Sequence, residues 1–65
     1  MKILVNGAWR ETDASDLAAA LAELGYSEAV VATALNGEFV PSGSRAGARL
    51  ADGDRVEVLA PMQGG

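Results

Sequence analysis

Two short apolar stretches, Lys2 to Val5 and Ala8 to Thr12, flank Asn6-Gly7. That dipeptide tolerates the two left-handed residues of a type I′ turn, so the first twelve residues are expected to form a hairpin, with Trp9 anchoring one of its faces. Farther on, Leu17, Ala20, Leu21 and Leu24 recur at helical spacing while Asp16 and Glu23 fall on other faces. Ser15 or Asp16 can accept the free N–H groups at the start of this segment, and Gly25 supplies a permissive residue after its last turn. Together these signals predict one helix of roughly nine residues.

The hairpin pattern then repeats. Ala29 to Leu35 is a β-prone run, Asn36-Gly37 a second turn, and Glu38 to Val40 a short return strand that Pro41 ends. Alternation places Val30, Ala32 and Ala34 on one face and Val31 and Leu35 on the other, so this strand is expected to be covered on both sides. Residues 41–50, PSGSRAGARL, show little periodicity and are rich in Gly and Ser. They read as irregular, with one helical turn around Arg45 to Ala48 and a return to the core at Leu50. Asp52-Gly53-Asp54 is a turn, and Arg55 to Ala60 alternates as a strand with Val56 and Val58 inward. The element order is β-β-α-β-β-β. With a single helix available, the economical architecture is α+β, one mixed sheet packed on one face against one main helix. The last strand is too apolar for an edge and belongs in the middle of the sheet.

Composition narrows the chemistry. A chain of 65 residues buries only about 60% of the surface it exposes when unfolded, leaving room for one thin core and no deep active-site cavity. Cys and His are both absent, which removes thiol nucleophiles, disulfides, and the ligands on which zinc and acyl-transfer sites usually depend. A formal net charge of -4 disfavours nucleic acid and favours a basic protein partner. Arg45, Arg49 and Arg55 are the one basic concentration, and they are separated by apolar or acidic residues, which reads as solvated surface. Asp52, Asp54 and Glu57 lack the spacing of a calcium loop, and Gly43 and Gly47 lack the Gly-Lys-Ser/Thr of a phosphate loop; neither a metal site nor a nucleotide site is expected. No stretch approaches a membrane span, and MKILVNG is too short an apolar run for a signal peptide. A cytoplasmic protein is therefore expected.

The remaining candidate chemistry is at the end of the sequence. Residues 1–60 read as the folded domain and 61–65, Pro-Met-Gln-Gly-Gly, as a flexible tail, because glycine loses the most backbone entropy on ordering and no further element follows. Two residues without a Cβ make a terminal carboxylate slender enough to enter an activating site on another protein. Conversion to an acyl-adenylate with ATP would then turn a poor electrophile into an attackable carbonyl. The bland alternative is an ordinary frayed terminus.

The opening MKILVNG, the helix LAAALAELG, the hairpin VATALNGEFVP, the segment from Leu50 to Val58 and the ending QGG together resemble the sulfur carrier proteins of thiamine (thiazole) biosynthesis. These belong to the ubiquitin-like β-grasp group, and the resemblance covers nearly the whole chain in order. It implies a β-grasp fold and a protein that is not an enzyme but a carrier acted on by others. Gly65 would be adenylated by an E1-like enzyme that consumes ATP, then converted to a thiocarboxylate with sulfur drawn from cysteine through a cysteine desulfurase. Thiazole synthase would be the acceptor. Gly64 would be the slender neighbour that threads into both partners, and the carrier itself would bind no cofactor. The resemblance also implies docking through an apolar sheet surface near the tail, with Leu59, Met62, Gln63 and Phe39 as candidates. For Leu59 and Phe39 the competing reading is core or sheet-edge packing.

Three other functions share parts of this pattern. The small subunit of molybdopterin synthase uses the same tail chemistry but tends to be longer, with a more elaborate middle region. A ubiquitin-like modifier would use the carboxylate as an electrophile for amines, and an interaction module would leave it inert.

Overall fold

The computed structural model describes residues 1–26 and 30–60. Among the described residues, five strands and one α-helix form in the order β1 (Lys2–Val5), β2 (Ala8–Glu11), α1 (Leu17–Glu23), β3 (Ala32–Leu35), β4 (Glu38–Val40) and β5 (Arg55–Leu59), with a 3₁₀ helix over Ser42–Gly47 between β4 and β5. The sheet order is β2-β1-β5-β3-β4. The last strand lies at the centre, parallel to β1 and antiparallel to β3, as its apolar pattern requires.

Both Asn-Gly turns take the expected backbone. Asn6 and Asn36 sit at φ of 50° and 51°, and the glycines that follow are also left-handed, which is the type I′ geometry whose twist matches the flanking strands. The helix is capped by Asp16, whose Oδ1 accepts the Ala19 N–H at 2.8 Å. It ends after seven residues, two fewer than the periodicity suggests. The reason is at its C-terminus: Gly25, at φ of +93°, lets Tyr26 N–H reach the Leu21 carbonyl at 2.8 Å and Gly25 N–H reach that of Ala22 at 3.1 Å. This Schellman closure consumes the last carbonyls and leaves Leu24 as the cap, half-buried against the core.

Leu17, Ala20 and Leu21 of the helix pack with Ile3, Val5, Val56 and Val58 of the two middle strands, and Ala14 and Leu50 complete the buried cluster. Leu50 is held there by backbone bonds, with Leu17 N–H donating to the Ala48 carbonyl and Leu50 N–H to that of Ser15.

Several expectations need correction. β2 ends at Glu11, one residue early, and Thr12 instead turns inward, donating its hydroxyl to Glu23 and accepting the Ala14 N–H. β3 begins at Ala32; Val30 and Val31 precede it outside the ladder, and Ala29 lies outside the described residues. That strand is covered on one side only. Thr33 faces the core, whereas Ala32 is exposed on the opposite face. The helical turn expected at Arg45 to Ala48 forms earlier, as the 3₁₀ segment. Nor is Arg45 ordinary solvated surface. Its Nε donates to the Thr33 hydroxyl at 3.0 Å and its Nη2 to the Val31 carbonyl at 2.7 Å, tying the irregular segment to β3. The Thr33 hydroxyl in turn donates to the Val40 carbonyl.

Candidate functional site

The strand pattern sends alternate residues to the face away from the helix. Register places Trp9 opposite Leu4, Leu4 beside Arg55, Phe39 and Glu57 on either side of Ala34, and Leu59 opposite Ala32. This outer face carries most of the exposed large apolar side chains: Trp9 at 59% exposure, Phe39 at 70% and Leu59 at 72%. Trp9 thus belongs to the open face of its hairpin and not to the core.

At the β3 end of this face the side chains are small. Ala32 and Ala34 form the floor of a cleft of about 320 Å³, with Phe39 and Leu59 as apolar walls and Glu57 as the one charged side chain among the described residues that line it. Val30, 81% exposed, continues the apolar surface, lining an adjoining depression with Ala32 and Leu59. Two small residues at i and i+2 between larger neighbours on paired strands make a shallow socket, and exposed apolar surface rimmed by polar groups is the usual signature of a contact site.

Leu59 and Phe39, two of the four docking candidates, therefore line one cleft; neither belongs to the core, and Phe39 lies on the edge strand β4. Met62, Gln63, Gly64 and Gly65 lie outside the described residues. Leu59 is the last residue of β5, so the cleft lies at the end of the last strand of the described residues. Sequence reasoning missed Val30, Glu57 and the alanine floor. The available signal is the Ala32-x-Ala34 alternation opposite Phe39, a pattern that a strand covered on both sides shares.

The acidic turn residues are engaged within the fold. Asp54 accepts the Ala51 N–H, the turn chemistry the sequence suggests. Asp52 accepts the Lys2 N–H and Asp54 the Asn36 side-chain amide, and these two bonds tie the turn to distant parts of the chain. Among the described residues no helix is long and apolar enough to cross a membrane.

Comparison with known proteins adds three findings. The model of the ThiS family matches residues 3–65. A crystal structure of a thiamine biosynthesis protein (ThiS) from Geobacter metallireducens superposes with a TM-score of 0.83 at 32% identity, covering 100% of both chains. Its agreement with the five-stranded mixed sheet and single α-helix establishes the β-grasp fold. A thiazole synthase from Paramagnetospirillum magneticum (strain ATCC 700264 / AMB-1) is 41% identical over 66 residues, which take in all of this chain but 20% of that protein. The chain thus spans about a fifth of the length of that relative.

Proposed function

The chain belongs to the ThiS family, and on that premise we propose that it is a sulfur carrier for thiazole formation in thiamine biosynthesis, with Gly65 as the residue that is modified. The observation that carries this reading is the extent of the family match. It runs to residue 65, so Gly64-Gly65 lies inside the family's sequence pattern and is not an appendage to it.

The proposed chemistry follows from the terminal carboxylate. A carboxylate oxygen attacks the α-phosphorus of ATP on an E1-like enzyme and pyrophosphate leaves, giving an acyl-adenylate. The outer sulfur of an enzyme persulfide, charged from cysteine through a desulfurase, then displaces AMP to give an acyl disulfide; a second thiol, on the enzyme or in solution, cleaves the S–S bond and ends as a disulfide, leaving a thiocarboxylate whose sulfur is a strong nucleophile for the thiazole-forming step. The carrier binds no cofactor and performs no catalysis; it is a co-substrate. Without Cys anywhere in the chain, it has no other sulfur atom that could engage in such exchange. The reactions would take place in the cytoplasm.

The outer-face cleft is the proposed docking surface, with Leu59 and Phe39 as contacts, Val30 as an addition, and Met62 and Gln63 meeting the partner along the tail. Thiazole synthase as acceptor is supported by the Paramagnetospirillum relative, in which a segment similar to this chain forms part of a protein bearing that name.

The test is the intact mass of the protein after incubation with ATP, the activating enzyme, a cysteine desulfurase and cysteine, beside a copy lacking Gly64 and Gly65. A gain equal to replacement of one oxygen by sulfur, in the full-length chain only, is expected. If a control carrier gains sulfur in the same mixture and this chain does not, the reading fails.

A further inference from the structure

The two Asn-Gly turns do more than reverse the chain, because both grip β5. Register between β1 and β5 stops at Val5 opposite Val56, yet Asn6 carries the pairing onward. Its backbone N–H donates to the Val56 carbonyl at 3.0 Å. Its side-chain Nδ2 donates to the Val58 carbonyl at 3.1 Å, and its Oδ1 accepts the Val58 N–H at 2.8 Å. One amide side chain thus satisfies both backbone groups of Val58, as the next residue of a neighbouring strand would. Asn36 does the corresponding work at the start of β5: its N–H donates to the Arg55 carbonyl at 2.7 Å and its Oδ1 accepts the Arg55 N–H at 2.9 Å.

The two clasps differ in what lies next to them. Asn36 holds the strand where it enters from the Asp52–Asp54 turn. Asn6 holds Val58, one residue before β5 ends at Leu59, and it lines the same cleft as Phe39, Glu57 and Leu59. Without its amide, Val58 would have no ladder partner on the β1 side, and the end of β5 would be held from β3 alone.

We propose that Asn6 is a positioning residue for the carrier reaction: its amide extends the sheet by one rung at Val58 and so fixes the end of β5, where Leu59 borders the docking cleft. The proposal rests on the sulfur-carrier reading. In this role Asn6 acts through Val58 and not on the reacting atoms. It sets the position of Val58 and Leu59, the last two residues of β5 and part of the cleft lining that a docked partner would meet.

Asn36 supplies the control. Asn6→Gly and Asn36→Gly both keep the left-handed backbone, since glycine accepts positive φ freely, and each removes one clasping amide. Amide hydrogen exchange at Val58 and steady-state thiocarboxylation by the activating enzyme, followed by intact mass, are measured on both variants and the unaltered chain well below their unfolding midpoints. In Asn6→Gly, Val58 N–H exchange should quicken and kcat should fall about ten-fold, the scale of one or two lost hydrogen bonds, with KM within about two-fold because the apolar walls remain. Asn36→Gly should keep both kinetic constants. Asn6→Asp, which retains the acceptor for Val58 N–H and loses the donor, should lie between. If the unaltered chain is thiolated and Asn6→Gly matches Asn36→Gly in kcat, the positioning role is overturned and the amide is only a stabiliser. If the unaltered chain is not thiolated beside a working control carrier, it is the carrier reading that falls, and this inference with it.

Discussion

At the scale of single residues, side-chain hydrogen bonds were the least legible feature of the sequence. Asn6 and Asn36 were readable as turn residues because the backbone requirement of a type I′ turn is local. Their amide contacts reach 52 and 19 residues along the chain, and nothing in the local pattern announces them. Arg45 is the same case: among Gly, Ser and Ala it reads as a surface cation, yet its guanidinium spans a hydroxyl and a carbonyl on the β3 side. Removing it as Arg45→Ala should destabilise the fold by about 1–3 kcal/mol, the range for charged-group hydrogen bonds, seen as a lower urea midpoint. Arg45→Lys should recover only part of that loss, because a single ammonium cannot reproduce the planar fork that reaches both acceptors. A lysine variant with the original midpoint would show that charge, not geometry, is what this position uses.

At the scale of elements, periodicity performed well wherever one face is buried. Leu17, Ala20 and Leu21 on the helix and Val56 and Val58 on β5 were all readable as inward, and all are in the core. Alternation could not say which sheet face would lie open, because Val30, Ala32 and Ala34 are as apolar as a buried row. That ambiguity hid the cleft. The two kinds of apolar position separate by mutation. Leu17→Ala empties a fully buried site and should lower stability by about 2–5 kcal/mol, while Asp16→Ala, which removes the helix cap, should lower it by about 1 kcal/mol. Leu59→Ser and Phe39→Ser should leave the unfolding midpoint within about 0.5 kcal/mol of its original free energy, as surface substitutions do. In titrations with the activating enzyme, by contrast, each should weaken binding by more than about 1 kcal/mol if these walls hold a partner side chain. Unaltered affinity in both variants would remove the cleft from the docking surface.

At the scale of the whole molecule, net charge bears on how a partner would reach the proposed docking face. The net charge of -4 is carried by a domain with a radius of gyration of 11.2 Å. The Debye length is about 10 Å at 0.1 M ionic strength, so below that concentration a partner senses the summed charge, and well above it only the charges beside the contact. Glu57 is the charged group inside the apolar cleft, so it acts at both ranges. A basic rim on the activating enzyme would therefore be drawn in by the whole carrier and oriented by Glu57. Stopped-flow association should slow by roughly ten-fold or more as salt is raised from low to several hundred millimolar, with dissociation little changed, the pattern of electrostatic steering. Glu57→Gln should slow association at low salt by roughly two- to five-fold and flatten the salt dependence, while the neutral isostere leaves the apolar walls intact. An association rate indifferent to salt would mean that the acidity of this chain serves solubility alone, and that the cleft selects its partner by shape and apolar contact without help from charge.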